Sequence, residues 1–279
     1  MIRAYREEDK VSILHLIQSM EIEEEVGSLE DIVLNSTQFL LYEQNGIEGF
    51  SYSSVYTNSA GESIAQISVY VEPDSCLKGI GSTLYKAMEE VISETKPDFV
   101  CTYMRVESEN PTGFAKKMGF EKWWGSLESV YKGGAFPKTE IKFIKYEDRF
   151  FDQFVKMVQA CYYELHEKND IKPYLAPEDS VKTYKLNNKN NVYLVLEGEQ
   201  IVASVTTGEG ILDNLMVAPS HQGKGYGRKA LQFGMNEMLE TGYKEIRICF
   251  LEGNESAERL YNSLGFKPLH NTQVYRKFL

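Results

Sequence analysis

Three glycines in five positions, Gly223, Gly225 and Gly227, lie where a strand pattern gives way to a helix pattern. Glycine permits backbone conformations that other residues avoid, and it lets main-chain amides approach a ligand closely. The free N–H groups and the positive dipole end of the helix that follows favour an anion such as a pyrophosphate. The loop is therefore a candidate pyrophosphate site, and a glycine-rich turn without a ligand is the alternative.

Two other kinds of phosphate site fit this loop less well. A Walker loop needs Gly-Lys followed by Ser or Thr, whereas Lys224 is followed by Gly225. Residues 225–230 satisfy the loose Gly-x-Gly-x-x-Gly/Ala pattern of dinucleotide enzymes, but that pattern belongs in the first strand-to-helix turn of a parallel sheet. Here the preceding strands read as an antiparallel meander. Nucleoside-triphosphate hydrolysis and a Rossmann fold are therefore disfavoured, and an NAD-type enzyme is kept only as a third hypothesis.

The elements around the loop follow from apolar and β-branched runs separated by glycine-containing turns. Three antiparallel strands are predicted at 192–196, 201–207 and 211–217. After the loop, the pattern predicts a helix at 226–240, a strand at 246–251, a helix at 255–264 and a last strand near 273–278. The loop therefore joins a meander to a long helix.

The sequence also contains an internal repeat. Three segments recur in order: 2–9 as 141–148, 79–81 as 225–227, and 118–120 as 264–266. Ordered matches whose offsets change only slightly are typical of a duplicated domain with loops of different length. We expect two mixed α/β or α+β domains, at 1–135 and 139–279, because glycines and a proline interrupt the pattern between them.

Residues 222–227 (Gln-Gly-Lys-Gly-Tyr-Gly) resemble the Gln/Arg-x-x-Gly-x-Gly/Ala loop of the GCN5-related N-acetyltransferase (GNAT) family, which holds the pyrophosphate of acetyl-coenzyme A. Residues 212–217 are similar to the family's fourth strand, and 254–266 are close to its second coenzyme motif. The resemblance implies two tandem GNAT-like domains, each with a mixed, mostly antiparallel sheet flanked by helices. It also implies acetyl-coenzyme A as the acyl donor and direct attack on the thioester by a primary amine.

The resemblance also implies which residues hold the coenzyme. These are Leu215, Met216, Val217, Gln222, Gly223, Lys224, Gly225, Tyr226, Gly227, Arg228 and Asn254. A backbone N–H around Met216 or Val217 is the candidate donor to the oxyanion.

Tyr261 and Asp213 are the candidate catalytic residues. Tyr261 follows Asn254 by seven residues, so the two lie on nearly the same helix face and can both address the pantetheine end of the coenzyme. A tyrosine hydroxyl, with an ordinary pKa of about 10, stays protonated at neutral pH and can protonate the departing thiolate. Asp213, and less well Glu209, is a candidate base; each could equally be a solvated charge in a turn, and Tyr261 could be a packing residue.

The two repeats are unequal. Split after residue 139, the first half has 12 basic and 22 acidic residues, a charge of −10, and the second has 18 and 19, a charge of −1. The first half also has Cys76, Ser108 and Ala115 where the second has Gln222, Asn254 and Tyr261. Because coenzyme A is polyanionic, the second domain is predicted to be catalytic and the first degenerate.

Charge and composition limit the partners. The net charge of −11 disfavours nucleic acid. No apolar run reaches the length of a membrane span, and nothing resembles a signal peptide, so we expect a cytoplasmic protein. The isolated cysteines and histidines suggest no metal site and no disulfide. An amine-bearing acceptor, most simply a small molecule, and a monomer with an internal pseudo-dimer are expected.

The acceptor amine is not identified by these residues. Glu21, Glu23, Glu24 and Glu25 could attract a cationic molecule, although a solvated acidic helix end is the simpler interpretation. The alternative from another class is a sensor or interaction module that binds acetyl-coenzyme A without turnover, because the first repeat has lost its motif residues.

Overall fold

The computed structural model describes residues 1–106 and 112–279. The chain divides into two compact units, one of Met1–Trp123 with Gln273–Leu279 and the other of Trp124–Thr272. The boundaries of the units therefore lie inside the strand that ends each half of the sequence. The domain limits expected from the repeat, 1–135 and 139–279, stay a prediction.

The first unit begins with one strand and three α-helices, and a meander of three strands follows. Its elements are β1 (Ile2–Ala4), α1 (Lys10–Ser19), α2 (Glu23–Val26), α3 (Leu29–Asn35), β2 (Gln38–Glu43), β3 (Ile47–Thr57), β4 (Ser63–Val71), α4 (Ile80–Ser93), β5 (Phe99–Arg105) and α5 (Thr112–Lys117). Strands β1 to β4 pair antiparallel, and β4 pairs parallel with β5 over residues 64–66 and 99–101. Because Leu40 and Leu41 alternate along β2, one faces the core beneath α4 and the other the core beneath α1 and α3. Helices thus cover both faces of this sheet.

The second unit repeats this plan. Its elements are β6 (Glu121–Tyr131, of which residues 124–131 belong here), β7 (Ile144–Lys145), α6 (Phe151–Lys168), α7 (Glu178–Ser180), β8 (Val192–Glu197), β9 (Gln200–Thr207), β10 (Ile211–Val217), α8 (Tyr226–Glu240), β11 (Ile246–Leu251) and α9 (Glu255–Ser263). Strands β7 to β10 pair antiparallel. Strand β11 pairs parallel with β10 and antiparallel with β6. Helices α8 and α9 pack on one face of the sheet and α6 on the other.

The mixed α/β fold predicted from the sequence is confirmed. Helix α8 and strand β11 have the predicted bounds, and the meander is formed by β8, β9 and β10. The last strand, β12 (Lys267–Lys277), begins earlier than predicted, because Lys-Pro-Leu-His-Asn-Thr lacks the apolar alternation by which strands are recognised. Among the described residues, no helix combines the length and apolar character needed to cross a bilayer.

Candidate functional site

The glycine loop places an open helix end beside a cavity. Gly225 is the N-cap residue of α8 with a φ of +87°, and Gly223 has a φ of +74°. This region of backbone space favours glycine. No side chain caps the helix, and a Cβ added at either glycine would meet nothing within 4 Å. The N–H groups of the first turn are therefore open to an anion.

A cavity of about 910 Å³ lies against this helix end. Most of the residues predicted from the sequence line it: Leu215, Met216, Val217, Gln222, Gly223, Gly225, Tyr226, Gly227, Arg228, Asn254 and Tyr261. Asp213 instead lines a smaller adjoining cavity of about 90 Å³, which Leu215, Met216, Asn254 and Tyr261 also line. Lys224 is not among the lining residues of either cavity.

The smaller cavity lies where two parallel strands separate. The ladder between β10 and β11 consists of Ile211 with Arg247 and Leu212 with Ile248. Beyond these pairs, both strands contribute lining residues to the cavity. The backbone edges that face each other across this cleft can therefore hydrogen-bond an extended ligand.

A bulge in β10 lies beside the cleft. The register between β9 and β10 shifts between Asp213 and Met216, and Asn214 has a φ of +48°. The Asn214 side chain is buried and donates to Thr206 Oγ1 at 3.1 Å and to the Lys185 carbonyl at 3.2 Å. Bulges re-aim neighbouring groups, and here these hydrogen bonds hold the bulge in place.

The register also shows which amides of β10 face the cleft. The Ala218 N–H donates to the Val202 carbonyl at 2.9 Å. Hydrogen-bonded and non-hydrogen-bonded pairs alternate along an antiparallel ladder. Met216 and Ser204 therefore form the next hydrogen-bonded pair. Val217 lies between these two bonded pairs, so its N–H group points away from β9, toward β11.

Tyr261 and Asp213 meet at the smaller cavity. Tyr261 is 5% exposed, and its ring packs against Phe250 and Phe266 with centroid separations of 5.2 and 5.9 Å. Burial raises the pKa of Tyr261, and the nearby Tyr162 and Asp213 raise it further. Asp213 accepts a hydrogen bond from the Asn214 N–H at 2.7 Å. The Tyr261 hydroxyl is therefore a proton donor throughout the physiological pH range.

Three further predicted residues have polar partners. The Gln222 side chain donates to the Val217 carbonyl at 3.3 Å, which fixes the start of the glycine loop to β10. Asn254 caps α9 by accepting from the Ala257 N–H at 3.2 Å. Arg228 donates to Ser263 Oγ at 2.6 Å. The Gln222 and Asn254 contacts organise the walls of the large cavity.

Helix α6 contributes lining residues that are not among the site residues predicted from the sequence. Cys161, Glu164 and Lys168 line the large cavity, and Tyr162 lines the smaller one. The Cys161 thiol donates to the Val217 carbonyl at 3.4 Å, and burial raises its pKa to about 11. The helical period predicts α6, but no local signal shows which of its faces meets β10.

The corresponding positions of the first unit differ. Gly79 caps α4 with the same φ of +87°, but Cys76 replaces the glutamine, and its thiol lies 3.7 Å from the Val71 carbonyl. Ala115, which replaces the tyrosine, is 2% exposed. Ser108 lies outside the described residues. Within residues 1–106 and 112–279 no group of three metal-binding side chains is found.

Comparisons with known proteins agree with this geometry. The model of the acetyltransferase (GNAT) family matches residues 151–266. The [ribosomal protein bS18]-alanine N-acetyltransferase of Haemophilus ducreyi is 32% identical over 91 residues, which are 30% of this chain and 63% of that protein. The thialysine N-epsilon-acetyltransferase of Sus scrofa is 30% identical over 78 residues, 28% of this chain and 46% of that protein. The chain thus spans less than two thirds of the length of these curated relatives.

Solved structures share the fold over a larger part of the chain. A GCN5-related N-acetyltransferase from Sphaerobacter thermophilus has a TM-score of 0.71 at 16% identity and covers 100% of this chain and 95% of its own. A tandem GNAT protein from the clavulanic acid biosynthesis pathway has a TM-score of 0.58 at 13% identity, covering 86% of this chain and 82% of its own. At these identities the similarity concerns the fold.

Proposed function

We propose that this chain is an N-acetyltransferase, because the model of the acetyltransferase (GNAT) family matches residues 151–266. It would transfer the acetyl group of acetyl-coenzyme A to a primary amine of a small molecule or peptide, with the chemistry in the carboxyl-terminal domain at 139–279. One observation carries the proposal: the open end of α8 and the cleft between β10 and β11 meet around adjoining cavities that share Tyr261. The two ends of a thioester-bearing nucleotide need these two environments.

The residues at the helix end fit the diphosphate of the donor. Gly223 and Gly225 leave the main-chain amides uncovered, and the positive end of the α8 dipole favours a negative charge there. Arg228 and Lys168, which line the large cavity, add positive charge. Lys224 does not line the cavity, and it favours the diphosphate only through the positive electrostatic potential that its charge adds.

The cleft fits the pantetheine arm and the thioester. Leu215 lines both cavities, and the Val217 N–H group faces the cleft and supplies a donor to the thioester oxygen. As the amine nitrogen bonds to the carbonyl carbon, negative charge develops on that oxygen. This assignment selects Val217 over Met216 as the oxyanion donor.

Tyr261 and Asp213 complete the proton transfers. When the C–S bond breaks, the Tyr261 hydroxyl gives its proton to the departing thiolate. Asp213 accepts the proton that the amine must lose, directly or through a water. The Lys185 ammonium, 3.7 Å from Asp213, keeps this carboxylate oriented beside the smaller cavity.

Acceptor-dependent thiol release tests the proposal. The full chain is assayed with acetyl-coenzyme A and a panel of a polyamine, an aminoglycoside, an alanine-ended peptide and thialysine, the last two suggested by the acceptors of the similar proteins. We expect at least one amine to raise thiol release above the rate without acceptor. Tight coenzyme binding with no acceptor-dependent release from any amine would indicate a sensor instead.

The proposal also concerns the role of the first domain, the oligomeric state and the location of the chain. We propose that the degenerate domain at 1–135 supports the catalytic one, and that the chain acts as a monomer with an internal pseudo-dimer in the cytoplasm.

A further inference from the structure

The first unit contains a cavity of its own. It has a volume of about 420 Å³ and lies where β4 and β5 separate beyond their short parallel ladder. Its walls are mainly apolar, with Met20, Met104 and Met118 from three different parts of the unit and Phe114 from α5. Cavities of this size and lining hold small molecules, and methionine side chains adapt to ligands of varied shape.

This cavity lacks the features of a coenzyme site. None of residues 77–81, the glycine loop of the first unit, lines it. The glutamine and tyrosine of the second unit are replaced by Cys76 and Ala115, which both lie on its wall. Because the N-terminal end of α4 does not line this cavity, its wall offers a nucleotide diphosphate no main-chain anion site, and a ligand of another class fits better.

Glu25 gives the cavity a charged wall. The four glutamates in and just before α2 differ in exposure. Glu21, Glu23 and Glu24 are exposed, whereas Glu25 is half-buried and lines the cavity. The Tyr70 hydroxyl donates to Glu25 Oε1 at 3.1 Å. Arg105, the basic residue on the wall, pairs with Glu24 at 3.7 Å. In the described part of the chain no ion pair to Glu25 is found.

We propose that the first unit binds a small hydrophobic amine in this cavity, with the ammonium against Glu25 and the apolar body on Phe114 and the three methionines. A partly buried carboxylate without a counter-ion is stabilised by a cation that brings its own donors. The charge of −10 on the first half of the chain disfavours an anionic ligand and attracts a cationic one. This site is independent of the proposed acetyl transfer in the second unit.

Titration calorimetry with three probes of equal shape tests the proposal. The full chain, saturated with coenzyme A to occupy the second unit, is titrated with naphthylmethylamine, naphthalenemethanol and naphthoate. We expect one amine per chain and weaker binding of the alcohol. Glu25→Gln keeps the acceptor for Tyr70 but removes the charge, and we expect it to weaken the amine about tenfold while leaving the alcohol unchanged.

Glu23→Gln is the matched control, because it makes the same charge change on an exposed residue of the same short helix. It should leave amine affinity unchanged. Ala115→Phe fills the cavity and should remove binding of both the amine and the alcohol. The proposal is overturned if no probe binds, if the alcohol or the naphthoate binds as tightly as the amine, or if Glu23→Gln weakens the amine as much as Glu25→Gln.

Discussion

Tyr261→Phe is expected to lower kcat by about 10²–10⁴-fold, the usual contribution of a positioned general acid. The KM for acetyl-coenzyme A should change little, because the phenylalanine ring keeps the contacts with Phe250 and Phe266. Burial raises the pKa of Tyr261 above its ordinary value of about 10. The wild-type kcat should therefore show no loss from deprotonation of this residue between pH 7 and 9.

Tyr146→Phe is the matched control for this variant. Tyr146 is 8% exposed, lies in the same unit and lines neither cavity, so removal of its hydroxyl should leave kcat unchanged. Steady-state kinetics at several pH values measure both variants. A kcat for Tyr261→Phe within about threefold of the Tyr146→Phe value would remove the general-acid role.

Gly225→Val is expected to weaken acetyl-coenzyme A binding by about 10–10²-fold, since charge-assisted hydrogen bonds to the diphosphate are lost. A β-branched residue is strained at a φ of +87°. The valine side chain would also extend into the large cavity, where we propose that the diphosphate binds. Equilibrium dialysis or calorimetry with acetyl-coenzyme A measures the effect.

Gly79→Val provides the comparison that separates strain from ligand contact. Gly79 has the same φ of +87° and the same N-cap position on α4, so the backbone strain is matched. Thermal unfolding should show similar destabilisation of the two variants, but only Gly225→Val should lose coenzyme affinity. Equal loss of affinity in both variants would show that backbone strain, and not lost contact with the diphosphate, causes the effect, and would contradict the assignment.

The elements that could be predicted from the sequence are those with strong local patterns. Helix α8 and strand β11 were predictable to the residue because periodicity and glycine turns are local signals. The residues of the glycine loop were identified for the same reason. Their placement around one cavity then follows from the fold that the resemblance implies, with Lys224 outside it.

Other features depend on contacts between distant residues. Residues 124–131 complete the sheet of the second unit by pairing with β11, although more than 110 residues separate the two strands. An apolar strand pattern is the same for either partner, so the sequence does not show which sheet it joins. The cavity residues Glu164 and Lys168 were missed because helical spacing does not show which face of α6 meets the loop.

The bulge at Asn214 has a weak signal in the sequence. Asparagine tolerates positive φ more readily than most residues, and here its side chain bonds to Thr206 and Lys185. Those partners come from other elements, so the bulge and the direction of the Val217 N–H could not be deduced before the register was known.

The most direct test of the proposed donor site is a crystal structure of the full chain with acetyl-coenzyme A. We expect the diphosphate on the first-turn amides of α8 and the thioester between Val217 and Tyr261. A coenzyme bound elsewhere at full occupancy, for example at Gly79 and α4, with the α8 loop left empty, would contradict the proposed donor site.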